Sequence, residues 1–334
     1  MKIAIHRSKG TFSDRWIDYC NAEGIDYKII SCYQSDIISE ISDCDALMWH
    51  FHHNNVRSRL FAKQLLFSLE KTSIKVFPDF NTMWHFDDKV GQKYLLEAIK
   101  APLVPTWVFF DRNEALGWAR DAGYPKVFKL RSGAGSQNVK LVRSFHEAKR
   151  LIEKAFRRGF SQYNPSENLR ERWRLYNLQK TTLREVLEGI VRLIIPPPFA
   201  RQGNRERGYA YFQEFIPGND HDIRVVVIGK RAFAIKRLVR SGDFRASGSG
   251  DILYDKNLFD ENTIALSFSL AQKLKSQCVA FDFIHEKALP LLVEISYGFS
   301  PDGYDPCPGY WDMELNWHEG PFNPYGWMVD ELKK

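Results

Sequence analysis

An α/β protein of two or three lobes is the fold class this chain predicts, and three observations predict it. Short apolar strands alternate with amphipathic helices from the first residues onward, the pattern of a parallel sheet covered by helices. A length of 334 residues can bury a sizeable core and exceeds a single small binding module. Hydrophobic residues at 44% and charged residues at 26% are ordinary globular usage, which excludes a fibrous or wholly disordered chain.

In chain order, KIAIH reads as a strand, TFSDRWIDYCNAEG as a helix stopped by Gly24, and IDYKII as the next strand. DALMWH, a helix over SRLFAKQLLFSLEK and the strand IKVFP continue the alternation, so residues 1–85 are expected to form an N-terminal α/β lobe. DDKVGQKYLLEAI follows as a helix with Val90, Tyr94, Leu95 and Ala98 along an apolar stripe. The strand PLVPTWVFF and a helix over NEALGWARDAG come next, and YPKVFKL and NVKLVRS then bracket the polar turn RSGAGSQ as a hairpin. FHEAKRLIEKAFRRG is helical, and LRERWRLYNLQKTTLREVLEGI supplies one or two more helices. Residues 86–210 thus read as a small lobe with a helical insertion over about 160–208. That insertion mixes both charge signs, which suits a solvated face better than nucleic-acid contact. Residues 211–334 read as a larger lobe with strands GYAYFQEFI at its start, then DIRVVVIG and RAFAIKRLV, a helix over NTIALSFSLAQKLK, strands VAFDFI and LPLLVEIS, and an aromatic tail.

Lys and Arg number 47 against 41 Asp and Glu, a formal charge of +6 that is too modest to call for a nucleic-acid partner. The 5 cysteines, Cys20, Cys32, Cys44, Cys278 and Cys307, form no CxxC pair, and MKIAIHRSKG lacks the apolar run of a secretory signal; cytoplasmic residence is the expectation. No membrane insertion is expected either, because even VRLIIPPPFA is short and broken by Pro196, Pro197 and Pro198.

Three segments carry chemistry. In VFKLRSGAGSQNVKLV the turn around Ser132, Gly133, Gly135 and Ser136 can turn backbone amides toward phosphate oxygens, with Lys129 adding positive charge; the same turn also reads as a solvated hairpin. It is neither a Rossmann fingerprint nor a GxxxxGK[ST] loop. In VAFDFIHEKALPLLVEIS, Asp282 and Glu294 fall near adjacent strand ends, where hard carboxylate oxygens can share Mg²⁺ with phosphates. In FQEFIPGNDHDIRVVVIGKRAFAIKRLV, Glu214 sits where a strand leaves the interior, and Arg224, Lys236 and Arg237 can meet phosphate or carboxylate, arginine with bidentate geometry.

These pieces, with DDKVGQKYLL and AIKRLVRSGDFRASGSG, resemble in order the ATP-grasp superfamily, especially the branch of the ribosomal-protein glutamate ligase and related carboxylate–amine ligases. The resemblance covers about residues 80–300 and implies an ATP-grasp fold, with an ATP cleft between two α+β lobes behind the N-terminal lobe. It implies that Lys89 and Lys129 contact ATP phosphates, that Glu214 lies at the adenosine hinge, and that Asp282 and Glu294 bind Mg²⁺. Lys236 and Arg237 would close the charged cleft, and Arg224 would clamp substrate or phosphate. The family continues the last acidic strand as Glu-x-Asn, with Asn a further metal ligand. This chain has Glu294, Ile295 and Ser296, so that ligand becomes water-mediated or a second metal is held weakly.

The activity implied is ATP-dependent amide formation through an acylphosphate, from small-molecule or peptide carboxylate and amine substrates. The tail YGFSPDGYDPCPGYWDMELNWHEGPFNPYGWMVDELKK admits sugar-linked substrates if its rings recognise a ligand, and packing or a homodimer if they do not. The alternatives are a small-molecule kinase using the same cleft and an ATP-binding regulatory or scaffold protein with a degraded site. His50, His52 and His53 offer a transition-metal reading, and His221 and His285 a proton-transfer one.

Overall fold

The computed structural model describes residues 1–52, 55–133, 138–161, 163–177, 179, 181–195, 205–239, 243–246 and 251–333. Three sheets follow one another along the chain. The first is parallel, in the order β2-β1-β3-β4, from β1 (Lys2–His6), β2 (Asp26–Ile30), β3 (Ala46–Met48) and β4 (Lys75–Phe77). Period-two alternation splits its side chains between two cores. Ile3, Ile5 and Met48 face one with α1 (Phe12–Ala22), while Ala4, Leu47 and Val76 face the other with α3 (Val56–Leu69). Phe12, Trp16 and Cys20 recur every four residues on the buried side of α1, whose N-cap Thr11 accepts from the Ser13 amide. Between these helices lies the single turn α2 (Ile37–Glu40), and after β4 comes a second such turn, α4 (Phe80–Met83).

After α5 (Lys89–Ala98) the second sheet is antiparallel, in the order β5-β8-β6-β7: β5 (Thr106–Phe109), β6 (Lys126–Lys129), β7 (Lys140–Val142) and β8 (Ala210–Glu214). Helices α6 (Arg112–Asp121) and α7 (Phe145–Phe156) cover it, and between β7 and β8 the described residues include the insertion helices α8 (Pro165–Asn177) and α9 (Leu183–Ile194). The third sheet runs β13-β12-β9-β10-β14-β15 with β11 (Ile252–Leu253) on β10. Its strands are β9 (His221–Ile228), β10 (Arg231–Leu238), β12 (Cys278–Glu286), β13 (Leu289–Ser296), β14 (Gly309–Asp312) and β15 (Trp317–Glu319). One face packs on α10 (Glu261–Leu274), the other on the N-terminal lobe and on α11 (Pro324–Glu331).

Two expectations change. Sequence pattern groups GYAYFQEFI with the strands after it, but β8 hydrogen-bonds to β5 and β6 and so belongs to the second sheet. The apolar stripe of α5 is also different: Tyr94 and Ala98 are exposed, and Leu96, Lys89 and Gln92 are buried. The helix lies against the third sheet, where Leu96 joins its core and Gln92 Nε2 donates to the Ile295 carbonyl at 2.8 Å. A position between two lobes, not the helix's own periodicity, decides which face is covered. The aromatic tail extends the third sheet and ties it to the first lobe through α11, where Gly326 admits the Tyr19 ring; a Cβ there would stand 2.5 Å from Tyr19 Cε2.

Candidate active site

Strand parity builds the charged wall. In β9, Val226 and Ile228 face the N-terminal lobe while Val225 and Val227 face α10, so Asp222 and Arg224 point with the first pair. In β12, Cys278 and Ala280 set the same direction for Asp282, and in β10 Phe233 and Ile235 set it for Arg237. Register then opposes Arg224 to Asp282 and Asp282 to Glu294, a row of alternating charge across three strands.

This row is tightly bonded. Arg224 grips Asp282 with both prongs, Nε to Oδ1 at 2.5 Å and Nη2 to Oδ2 at 3.0 Å. Arg237 grips Asp222 at 2.6 Å twice, and its Nη2 also stands 3.1 Å from Asp282 Oδ1. Burial would raise the Asp282 carboxyl, but the two guanidinium groups outweigh it and hold the group below the usual carboxylate range. For Asp222 burial wins over Arg237, and its carboxyl rises.

Opposite stand two buried lysines. Lys89 begins α5, and its Nζ donates to the Gly133 carbonyl at 2.9 Å and pairs with Glu294 Oε1 at 3.1 Å. Burial opposes its charge, but Glu294 and Asp87 prevail and raise its pKa. Lys129 ends β6, with Nζ 2.6 Å from Gln213 Oε1. Burial lowers its pKa to about 8, against a weaker pull from Glu294. Glu214 ends β8, where register sets it opposite Lys126, whose Nζ donates to both carboxylate oxygens at 2.9 and 2.7 Å.

Lys89, Lys129, Gly133, Glu214, Arg224, Asp282, Glu294 and Ser296 all line one cavity of about 440 Å³. Glu214, Phe215 and Ile216 form its wall where the chain crosses from the second sheet to the third. Gly10, Thr11, His50 and His52 of the first lobe and Phe299, Ser300 and Pro301 of the tail complete it.

Several expected residues lie elsewhere. Lys236 has the opposite parity to Arg237 in β10, faces Ile223 of the α10 core in register and does not line the cavity. Arg237 acts one layer behind the wall, through Asp222 and Asp282. Ser132 donates to Glu206 and lines a second cavity on the far side of the Gly133 segment. The Gly133 amide donates to Asp87 Oδ1 at 2.7 Å, so it is committed to the protein and does not offer itself to phosphate. Gly135 and Ser136 lie outside the described residues, as does His53.

Sequence reasoning missed Lys126, Gln213 and Asp87. The first two are buried polar residues inside strands, a signal that was available. Asp87 becomes visible only through its positive φ of 56° and its bond to Gly133.

The donor set fits Mg²⁺. Asp282 and Glu294 are directly opposed, both are hard oxygen ligands, and Ser296 adds a hydroxyl two residues along the same strand face. Asp282 is the constrained member, since each of its oxygens already accepts from a guanidinium. Ser296 Oγ is turned to the Gly298 carbonyl at 3.0 Å. Among the described residues no group of three or more His, Cys, Asp or Glu could hold a metal, so an ion held by Asp282 and Glu294 would need further oxygens such as those of phosphate and water. Among the described residues, then, no transition-metal ligand set of three or more forms around His50 and His52.

No protein-family model and no curated protein sequence matches the chain. Solved structures do resemble it. A RimK domain protein ATP-grasp from Sphaerobacter thermophilus has a TM-score of 0.57 at 16% identity, with 100% of each chain covered. The biotin carboxylase domain of Hydrogenobacter thermophilus 2-oxoglutarate carboxylase, solved with MgADP, ADP and bicarbonate, has a TM-score of 0.62 at 14% identity, covering 99% of this chain and 69% of that one. D-alanine–D-alanine ligase from Bacillus anthracis, complexed with ATP, has a TM-score of 0.56 at 13% identity over 99% of this chain and 95% of the ligase. At such identities the likeness is one of architecture, and it agrees with the order of the three sheets and the cleft between the second and third: this chain has the ATP-grasp fold.

Proposed function

We propose that this protein is an ATP- and magnesium-dependent ligase that joins a carboxylate to an amine. The observation that carries the reading is the convergence of Lys89, Lys129, Arg224, Asp282 and Glu294 on one cavity beside the Glu214–Ile216 crossover. Proteins of similar fold include D-alanine–D-alanine ligase complexed with ATP and D-cycloserine synthetase, which supports the ligase class. The three-lobe division belongs to the same proposal, with the crossover after Glu214 dividing the ATP lobes.

In this reading the adenosine lies against Glu214, Phe215 and Ile216, and Lys129 and Lys89 hold positive charge against the phosphates. Desolvated cations oppose charge more strongly than solvated ones, because less water screens them. Gln213 fixes the Lys129 ammonium, and Lys126 fixes Glu214. Magnesium, held by Asp282 and Glu294 with Ser296 through water, would neutralise charge on the transferring phosphoryl group. Arg224 orients Asp282, and Arg237 braces that pair from behind while also holding Asp222, which itself lines the cavity.

The γ-phosphoryl group passes to a substrate carboxylate oxygen, giving an acylphosphate and ADP. An amine nitrogen then attacks the acyl carbon, the bond to phosphate breaks, and phosphate leaves with the electron pair while the amine proton goes to solvent. No enzyme nucleophile is needed, and Cys307 is no rival, since burial pushes its thiol up to about 12. The carboxylate and amine enter from the side lined by Thr11, His50, Phe299 and Ser300.

A screen of carboxylates and amines, following ADP, phosphate and amide together, tests the proposal. Glu294→Gln should lower turnover about 100-fold or more while the fold persists. A stable phosphorylated product without amide would instead assign a kinase. Tight ATP binding with no ADP under varied metals and amines would assign a regulatory protein, a reading that Ser296 and the doubly engaged Asp282 favour.

A further inference from the structure

The insertion between β7 and β8 carries an apolar face that has no role in the nucleotide cavity. α9 rests on α8 through Val186 and Gly189, where a Cβ on Gly189 would stand 2.9 Å from Arg172 Cδ and 3.0 Å from Leu169 Cδ1. The glycine lets the two helices approach closely, so the hairpin is a packed unit. Away from this contact, Leu183, Leu187, Ile190 and Ile194 recur at spacings of four, three and four, which sets them in one stripe. They are 51%, 54%, 47% and 84% exposed, and Val191 beside them is 55% exposed. A contiguous aliphatic stripe of this kind marks an interaction surface. On α8 the exposed rings of Trp173 and Tyr176 lie 6.2 Å apart, side chains suited to a boundary between apolar and wet surroundings.

Charge decides what the stripe meets. Residues 157–207 contain eleven Lys and Arg against five Asp and Glu, a surplus of six that equals the whole formal charge of the chain; two of the six lie on the hairpin, with six Lys and Arg against four Glu over 165–195, and the rest on its flanks. The other residues balance. Arg184, next to the stripe, has 89% of its side chain exposed, and Arg157 has 76%. Glu188 is already shared by Arg172, Arg184 and Arg192 at 3.6 to 3.9 Å. A second copy docking about a two-fold axis would bring two such surpluses together, which like charge opposes. An anionic lipid surface offers apolar depth for the stripe and phosphates for the arginines.

We propose that the α8–α9 hairpin docks this protein on an anionic lipid bilayer, with the α9 stripe in the boundary between headgroups and acyl chains. The contact is peripheral: among the described residues no helix is long and apolar enough to cross a membrane. It stands independently of the ligase reading, since it uses none of the cavity residues.

Sedimentation of the full chain with vesicles tests it, using phosphatidylcholine alone and equal parts of phosphatidylcholine and phosphatidylglycerol. The protein should sediment with the mixed vesicles, weakly or not at all with phosphatidylcholine, and less as salt is raised. The double variant Leu187→Glu/Ile190→Glu should lower the partition coefficient by roughly tenfold or more. Both sites are exposed, so its near-UV circular dichroism should match the unaltered chain. No binding to the mixed vesicles overturns the proposal, and so does binding that the double variant retains. A dimer in solution that the double variant dissociates, without vesicle binding, overturns it in favour of a second copy.

Discussion

Arg237 and Asp222 offer a direct test of how the charged wall is held. Asp222 takes both its hydrogen bonds from Arg237 at 2.6 Å, in a setting where the arginine is 7% exposed. Arg237→Met would leave a buried carboxylate facing no guanidinium of its own, while Asp282 would keep Arg224. Breaking one side of a buried pair costs about 3–5 kcal/mol, whereas replacing both partners by apolar groups is often near neutral. Unfolding entropy of about 2.1 cal/mol/K per residue gives about 0.7 kcal/mol/K for a chain of this length, so the single variant should melt about 4–7 °C lower. Arg237→Met/Asp222→Leu should recover most of that loss. Differential scanning calorimetry of the two single variants and the double variant supplies the cycle. A double variant as unstable as the sum of the singles would refute the reasoning, because it would mean each residue acts through other contacts. The pH dependence has a definite sign. Burial raises the Asp222 carboxyl in the folded state, so protonation favours folding there, and the deficit of Arg237→Met should shrink as pH falls through the acid range.

Other outcomes follow from single residues. The Lys129 ammonium is pushed down to about 8 by burial, below the unfolded value of 10.5, so the ligand-free protein should gain stability between about pH 8 and 10.5 and Lys129→Met should abolish that gain in urea titrations. Gly133 has a φ of 114°, which a side chain rarely adopts, so Gly133→Ala should cost about 1–3 kcal/mol by the same titrations and should loosen Lys89, its partner. Gly326→Ala would force a Cβ into the Tyr19 ring and should cost about 1–3 kcal/mol of stability. Ser296→Asn lengthens the oxygen-bearing arm next to Glu294, so half-saturation of ATP binding should need less Mg²⁺, read by titration calorimetry.

The amino-acid sequence by itself determined the local elements and the chemistry available to them. Alternation in KIAIH and DIRVVVIG, four-residue recurrence in FSDRWIDYC and the order of the acidic and basic strands depend on side chains a few residues apart, and the α/β fold class followed from them. Asp282, Glu294 and Lys129 stand out for the same reason, since a charge inside an apolar run is conspicuous without knowing its partner, whereas Lys89, in the polar stretch DDKVGQKYLL, is singled out by the resemblance alone. Only the tertiary structure decided which of two adjacent residues faces the cleft. Lys236 and Arg237 look equivalent in sequence, yet a strand sends neighbours to opposite faces, and the packing of Ile235 and Ala234 chooses between them. It likewise turned Gly133 toward Asp87, gave β8 to the second sheet and set Leu96 on the third, because these depend on partners 46, more than 80 and nearly 200 residues away. The α9 stripe belongs to the same class: its periodicity states that a face is apolar, and only the position of α8 shows which side of the helix was left without cover.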